Sequence, residues 1–259
     1  MFTIQLVISF FAGGLFIALQ TLLSERVPLK WRGAVLTIPS TMALGLLFIG
    51  LTKTPGDVAQ ATIVIPAAIG ADYIFVLTFA LLSKFNLIIN FLISLMIWAT
   101  SAFLLIKFPP TNFLISLVVY CIPIVIICYL IIKKLPQSTT LTPVPMTFKH
   151  TAIRSFIGGS IITTIVILSN TFGNIWGGIF SVFPAAYTAT FLIYSQVHSK
   201  KIIPAVAKSF FMPGIPGFLI YAYVAGITFP VIGIWLGTLA AYAGTAIFYF
   251  IYHLAKTSN

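Results

Sequence analysis

Apolar runs of roughly 20 residues recur along the whole of this chain, each long enough to cross a hydrocarbon core about 30 Å thick at about 1.5 Å per helical residue. The runs read as nine spans, at 2–24, 33–51, 58–83, 87–106, 112–132, 152–169, 177–195, 202–225 and 228–252. No stretch is left over for a soluble domain. With 60% of its 259 residues hydrophobic and 7% charged, against roughly 25% charged in a soluble domain, the chain is expected to be an all-α polytopic membrane protein.

The one long connection is 133–151. It carries Pro136, Pro143, Pro145 and a Ser/Thr cluster, a composition that reads as an extended linker. Met1–Gln5 has no basic stretch and no small-residue cleavage site follows, so the first run reads as a retained span, not a signal peptide.

The net charge of +11 is placed as membrane topology would place it, because basic residues stay on the cytoplasmic side of short loops. With the N-terminus outside, twelve of the 14 Lys and Arg fall on the cytoplasmic side: Arg26, Lys30, Arg32, Lys84, Lys133, Lys134, Lys149, Arg154, Lys200, Lys201, Lys208 and Lys256. Lys53 and Lys107 remain outside. An odd number of spans then puts the N-terminus out and the C-terminus in. The basic loops carry no aromatic stacking pattern, so nucleic-acid binding is not expected.

A repeat appears at a spacing of 145 residues. Phe11, Gly13 and Gly14 match Phe156, Gly158 and Gly159; Ser24 matches Ser169; Trp31, Gly33 and Pro39 match Trp176, Gly178 and Pro184. Farther on, with two residues inserted, Pro66–Gly70 aligns with Pro213–Gly217, and the segment from Trp98 to Ala102 resembles that from Tyr242 to Ala246. Spans one to four therefore correspond to spans six to nine, which divides the chain into a first four-helix repeat (1–107), a linking helix and loop (108–151) and a second repeat (152–259). Five crossings separate the two starts, and an odd number inverts the second copy. Inverted-topology repeats recur in secondary transporters, where the two halves open one site to opposite sides in turn.

The run from Asn174 through Trp176, Gly177, Gly178 and Phe180 to Pro184, followed by an apolar stretch, a basic loop and Ala207-Lys208-Ser209, resembles the small GlpM-type (DUF3147-like) four-helix membrane proteins. The first half, from Trp31-Arg32-Gly33 through Pro39 to Ala59-Gln60-Ala61-Thr62, is similar to the same pattern. The resemblance implies two such units fused through an extra helix, in a prokaryotic inner membrane. A second, architectural likeness is to the drug/metabolite transporters, in which four-helix units pair in opposite orientations.

Of the three acidic residues, Glu25 and Asp57 sit at span ends, whereas Asp72 lies about fifteen residues into the third span. A carboxylate near the bilayer centre costs roughly 2.5–3.5 kcal/mol on insertion scales and there usually faces a cavity or a partner. Asp72 is the candidate proton-coupling group, against the alternative of a neutral carboxyl bonded to a Tyr or Thr of a neighbouring helix. Pro66 and Gly70 stand just before it, and Pro213, Gly214, Pro216 and Gly217 occupy the matching place in the second half. Pro39 and Pro184 interrupt spans two and seven in the same paired way. Proline removes a backbone donor and frees a carbonyl one turn earlier, and paired interruptions in corresponding spans point to a transporter site. Gln60 is the remaining candidate contact, with Lys208 near its aligned position but expected to snorkel to the cytoplasmic interface. Gly13-Gly14 and Gly158-Gly159 read as close helix packing.

No catalytic constellation emerges. His150, His198 and His253 are far apart and have no cysteine or carboxylate cluster beside them, so no metal site is expected. Cys121 and Cys128 read as packing residues of the fifth span. Phosphate-binding and nucleophile-elbow glycine motifs are absent. No cofactor is expected, and oligomeric state is not encoded in any pattern seen. The sequence points to a secondary transporter or flippase of the prokaryotic plasma membrane, moving a small anionic or amphipathic solute through a midplane cavity between inverted repeats. The alternative is a non-transporting structural or assembly factor acting through helix–helix contacts, with the lipid bilayer as its surroundings in either case.

Overall fold

The structure, a computed structural model, describes residues 2–26, 38–135, 147–197, 202–210 and 214–257. Every regular element among them is helical: α1 (Phe2–Arg26), α2 (Ser40–Gly50), α3 (Pro55–Thr62), α4 (Ile65–Leu81), α5 (Leu87–Lys107), α6 (Phe113–Ile132), α7 (Phe148–Phe172), α8 (Asn174–Ser181), α9 (Ala185–Val197), α10 (Ile203–Phe210) and α11 (Gly214–Thr257). By length and composition α1, α5, α6, α7 and α11 can each cross a membrane, and α3 with α4 makes a further span bent by 47°.

The helix starts follow from capping chemistry. Thr54 and Asp57 form a reciprocal capping box at α3, the Asn86 and Asn112 side chains accept from the amides of Ile88 and Ile115, and Thr147 accepts from the amide of His150. Each cap satisfies an amide that the helix itself leaves without an acceptor. The Thr147 cap also shortens the expected linker. Residues 148–151 belong to α7, and 136–146 lie outside the described residues.

α1 and α7 cross with the contacts of a two-fold axis. A Cβ built on Gly13 would stand 2.6 Å from Cγ1 of Ile162, and one built on Gly158 would stand 2.6 Å from Cγ1 of Ile17. Gly14 meets the carbonyl oxygen of Ser155, and Gly159 that of Phe10. Both pairs are exchanged by the 145-residue spacing, and the partner number falls as the residue number rises, so the helices run antiparallel. The glycines are needed because any side chain would collide at this distance, as expected for helices packed through small residues.

Several of the expected spans are interrupted among the described residues. The third bends between Thr62 and Ile65, one turn earlier than the Pro66–Gly70 kink that the sequence suggested. Pro66 sits in the first turn of α4, where its missing N–H costs nothing, and Gly70 lies within the continuous helix against Ile124. The amide of Ala67, exposed by the break, donates to Oγ of the buried Ser116 at 3.0 Å. Ser116 opens a π-helical stretch, Ser116–Cys121, ahead of Pro123 in α6. The seventh span is broken at Pro184 between α8 and α9.

α11 has 44 residues but is not straight. Thr245 donates to the carbonyl of Gly217 at 3.4 Å, although 28 residues of straight helix would separate them by about 42 Å. The Tyr221 and Tyr242 rings meet at 5.0 Å. The chain turns back at Gly233, whose φ of 76° suits glycine, and the arms 214–232 and 234–257 run antiparallel. The turn therefore lies at 233, not at the expected 226–227. Gly226 serves packing instead, since a Cβ there would stand 2.5 Å from Oγ1 of Thr62 on α3.

The core lies around α4, which buries Phe75 and Phe79 completely, Phe79 being stacked on Phe191 of α9 at 4.7 Å. α5 and α6 turn long apolar faces outward, with Ile88, Leu92, Met96, Leu114 and Val118 exposed. Lipid is the solvent such faces require.

Candidate functional site

Asp72 is the eighth residue of α4 and is 5% exposed. Nε1–H of Trp98, on α5, donates to its Oδ1 at 2.9 Å. Trp98 is itself held edge-on by Phe180 and Phe183, at 5.1 and 4.8 Å. The carboxyl lines a cavity of about 40 Å³ with Ile38, Ser40, Thr41, Tyr73, Ser181, Pro184, Ala185, Tyr187 and Phe218. Tyr73 and Tyr187 share a side-chain hydrogen bond beside it.

The cavity sits where the two proline interruptions meet. Pro39 immediately precedes Ser40, the first residue of α2, and Pro184 immediately precedes Ala185, the first of α9, and the backbone turns match at the 145-residue spacing. Ser40 N–H bonds the carbonyl of Ile38 at 2.7 Å, as Ala185 N–H bonds that of Phe183 at 2.6 Å; Ala43 N–H bonds Pro39 at 2.9 Å, as Thr188 N–H bonds Pro184 at 2.8 Å. The surroundings differ between halves. Gln20 of α1 donates to the Ile38 carbonyl at 3.0 Å and accepts from the Ser40 hydroxyl, whereas its repeat counterpart is Ile165.

Of the residues singled out in the sequence, Asp72 and Pro184 line this cavity, and Pro39 stands between two residues that do, Ile38 and Ser40. Pro66 is at the α3–α4 break and Gly70 packs on Ile124. Gly214 and Pro216 lie in the first turn of α11, and Gly217 packs under the Tyr249 hydroxyl; the next residue, Phe218, reaches the cavity. Pro213 lies outside the described residues. Gln60 is not part of the site. It is exposed and accepts from Nδ2 of Asn174 at 3.4 Å, because the bend after Thr62 sends α3 away from Asp72. Trp98, Tyr73, Tyr187, Gln20, Ser40, Thr41 and Ser181 were not foreseen. Hydroxyl residues flanking both breaks, and one glutamine deep in the first span, were the available signals.

A polar cluster on one face joins the two halves. Lys53 Nζ donates to Oδ1 of Asn174 at 2.8 Å, Asn174 Nδ2 donates to Oδ1 of Asp57 at 3.2 Å, and Asn170 Nδ2 donates to Oγ1 of Thr52 at 2.9 Å. The Asp57 carboxylate also accepts from the Thr54 amide at 3.2 Å and the Thr54 hydroxyl at 2.6 Å. Lys208 bonds the Lys133 carbonyl at 3.1 Å, at the end of α6, where a cation complements the helix dipole. Arg154, grouped with the loop cations above, is buried in α7 at 6% exposure. Cys121 and Cys128 are buried and unbridged. Among the described residues no group of His, Cys, Asp or Glu could hold a metal ion.

The fold and the cavity define the class: a multi-pass α-helical membrane protein with a buried carboxyl where two helix interruptions meet. The chain matches no protein-family model, no curated protein and no solved structure, so function is argued from this site.

Proposed function

We propose that the chain is a secondary transporter or flippase of a prokaryotic inner membrane, with nine crossings, the N-terminus out and the C-terminus in. Residues 1–107 and 152–259 are its two inverted four-helix repeats, and α6 is the odd crossing between them. The reading is supported by the reciprocal, antiparallel packing of α1 and α7 and by the matching turns at Pro39 and Pro184. The likeness to fused GlpM-type units and to the paired units of drug/metabolite transporters agrees with it. No catalysis and no cofactor enter the reading. The observation that carries it is Asp72, a buried carboxyl lining a cavity between equivalent breaks of the two halves. Ionisable groups so placed commonly lie on ion or proton pathways.

In this scheme the solute enters the cavity and Asp72 carries the coupling proton, while exchange of conformation between the halves moves access from one face to the other. The test is solute-dependent proton movement into proteoliposomes after a pH jump, comparing the native chain with Asp72→Asn. Loss of pH-dependent flux is expected; flux with an unchanged pH profile in the variant would remove Asp72 from the mechanism.

A structural or assembly role is favoured by one observation, the small size of the cavity, about 40 Å³, together with the Trp98 bond that already satisfies one Asp72 oxygen. Under that reading a cysteine placed at Thr41 stays inert to small water-soluble thiol reagents from both sides, whereas transport requires it to react.

A further inference from the structure

Asp72 occupies one face of α4, and a second cavity lies against the opposite face. At 3.6 residues per turn, Ala67, Ala71 and Ile74 point about half a turn away from Ile69, Asp72 and Tyr73. They line a space of about 310 Å³, closed by Phe108 of α5 and by Tyr120 and Ile124 of α6. The sequence makes the gap. Alanines at 67 and 71 are too short to fill it, while Gly70 lets Ile124 pack close beside them. Tyr120 belongs to the π-helical stretch Ser116–Cys121, a widening of the helix that recurs at functional sites.

Nothing in the lining calls for a polar ligand. The Tyr120 hydroxyl donates to the Phe108 carbonyl at 3.2 Å, and the Ser101 hydroxyl to that of Ile97 at 3.0 Å. The Phe108 amide donates to the Leu104 carbonyl at 2.8 Å, and that of Ala67 is taken by Ser116. Leu104 and Phe108, both exposed, put the opening on the outer surface of α5, where lipid is the solvent. An apolar cavity of about 150 Å³ holds one benzene ring, so about 310 Å³ takes roughly a dozen carbons. That is the size of an acyl-chain segment.

Charge at the mouth selects the headgroup. Lys107 is the only charged residue between Phe85 and Ile132. Its Nζ stands 5.6 Å from the centre of the Phe108 ring, on the rim of the cavity, and has no hydrogen bond or ion pair among the described residues. A lysine at the end of a spanning helix reaches headgroup level. Since α5 and α6 carry no carboxylate, a second copy packed on this face would add another Lys107 and no acid to pair either. We propose that the cavity binds one acyl chain of an anionic phospholipid, whose phosphate pairs with Lys107. The chain lies between α4, α5 and α6, and the headgroup sits at the membrane surface where α5 ends. The site requires only that the chain be embedded in a membrane, so it stands whether or not Asp72 couples protons to transport.

The test is native mass spectrometry of the full-length chain in detergent, titrated with phosphatidylglycerol and with phosphatidylcholine of the same acyl chains. The first phosphatidylglycerol is expected to bind about fivefold more tightly than the first phosphatidylcholine, the advantage that one surface lysine gives an anionic headgroup. Lys107→Gln, a change at an exposed position, is expected to bind the two lipids equally. Lys84→Gln, equally exposed between α4 and α5, is expected to keep the preference. Ala71→Phe fills the cavity and is expected to lose the first bound lipid of either kind; Ser101→Phe enters the same space from α5 and gives that result if Ala71→Phe does not fold. A preference that survives Lys107→Gln overturns the proposal, as does a first lipid that stays bound in a folded, filled variant. So does a dimer that the filled variants dissociate, which would place a second copy in the cavity.

Discussion

At the scale of the residue, the pair Asp72 and Trp98 shows how far chemistry can be read from one chain. A carboxylate in an apolar run stands out, because few apolar runs carry one and its burial is costly. Its indole partner does not, since a tryptophan in a membrane span is equally well placed as packing or as an interfacial anchor. Only the antiparallel pairing of α4 with α5, 26 residues apart in sequence, gives Trp98 a polar task. Trp98→Phe keeps the edge-on ring contacts to Phe180 and Phe183 and removes the N–H. The unpaired acceptor is expected to cost about 1–3 kcal/mol, read as a lowered unfolding temperature in detergent; an unchanged temperature would mean that water replaces the indole. Gln60 was read from the sequence as a further polar contact and yet lies elsewhere, because a polar residue one turn before a bend can face either way.

Helices add a second kind of constraint, the pairing of every backbone group. The α3–α4 break exposes amides that must be met by protein, water or ligand, and Ser116 of α6 meets that of Ala67. α6 is thereby tied to the break between α3 and α4. Ser116→Ala leaves a buried amide without its acceptor, and a loss of about 1–3 kcal/mol is expected, to be measured by unfolding in detergent with Ser101→Ala, whose hydroxyl only bonds its own helix at Ile97, as the control. Equal effects of the two would show that the Ser116 bond contributes nothing of its own. Proline and glycine announced that the helices break, but not where. Gly226 and Gly233 both suit a turn, and the choice fell on Gly233 because Gly226 is used up by the close approach of Thr62.

For the whole molecule, the 145-residue spacing is the feature that sequence and structure express in different terms. In the sequence it is a row of matched Phe, Gly, Trp and Pro residues; in the fold it is the exchange of Gly13 with Gly158 and of Ile17 with Ile162 across one antiparallel crossing. Ser9 and Thr163 share a hydrogen bond of 3.3 Å at this crossing. Ser9→Cys with Thr163→Cys is therefore expected to form an intramolecular disulfide on mild oxidation, seen as a mobility shift reversed by reductant. Failure to cross-link, with both thiols reactive after denaturation, would show that α1 and α7 do not cross as described.

The amino-acid order alone determined the solvent of this protein, its helical class and the 145-residue spacing of its matched residues, because hydropathy and spacing are properties of the chain whatever its contacts. It also exposed the carboxyl at Asp72 and the two prolines at whose helix starts the cavity lies. Tertiary structure decided which polar groups converge there, where the bends fall, and that Gln60 stays outside. Those outcomes depend on which helix faces are pressed together, and burial between residues far apart in sequence is settled only when every apolar face and every backbone amide competes for a partner at once.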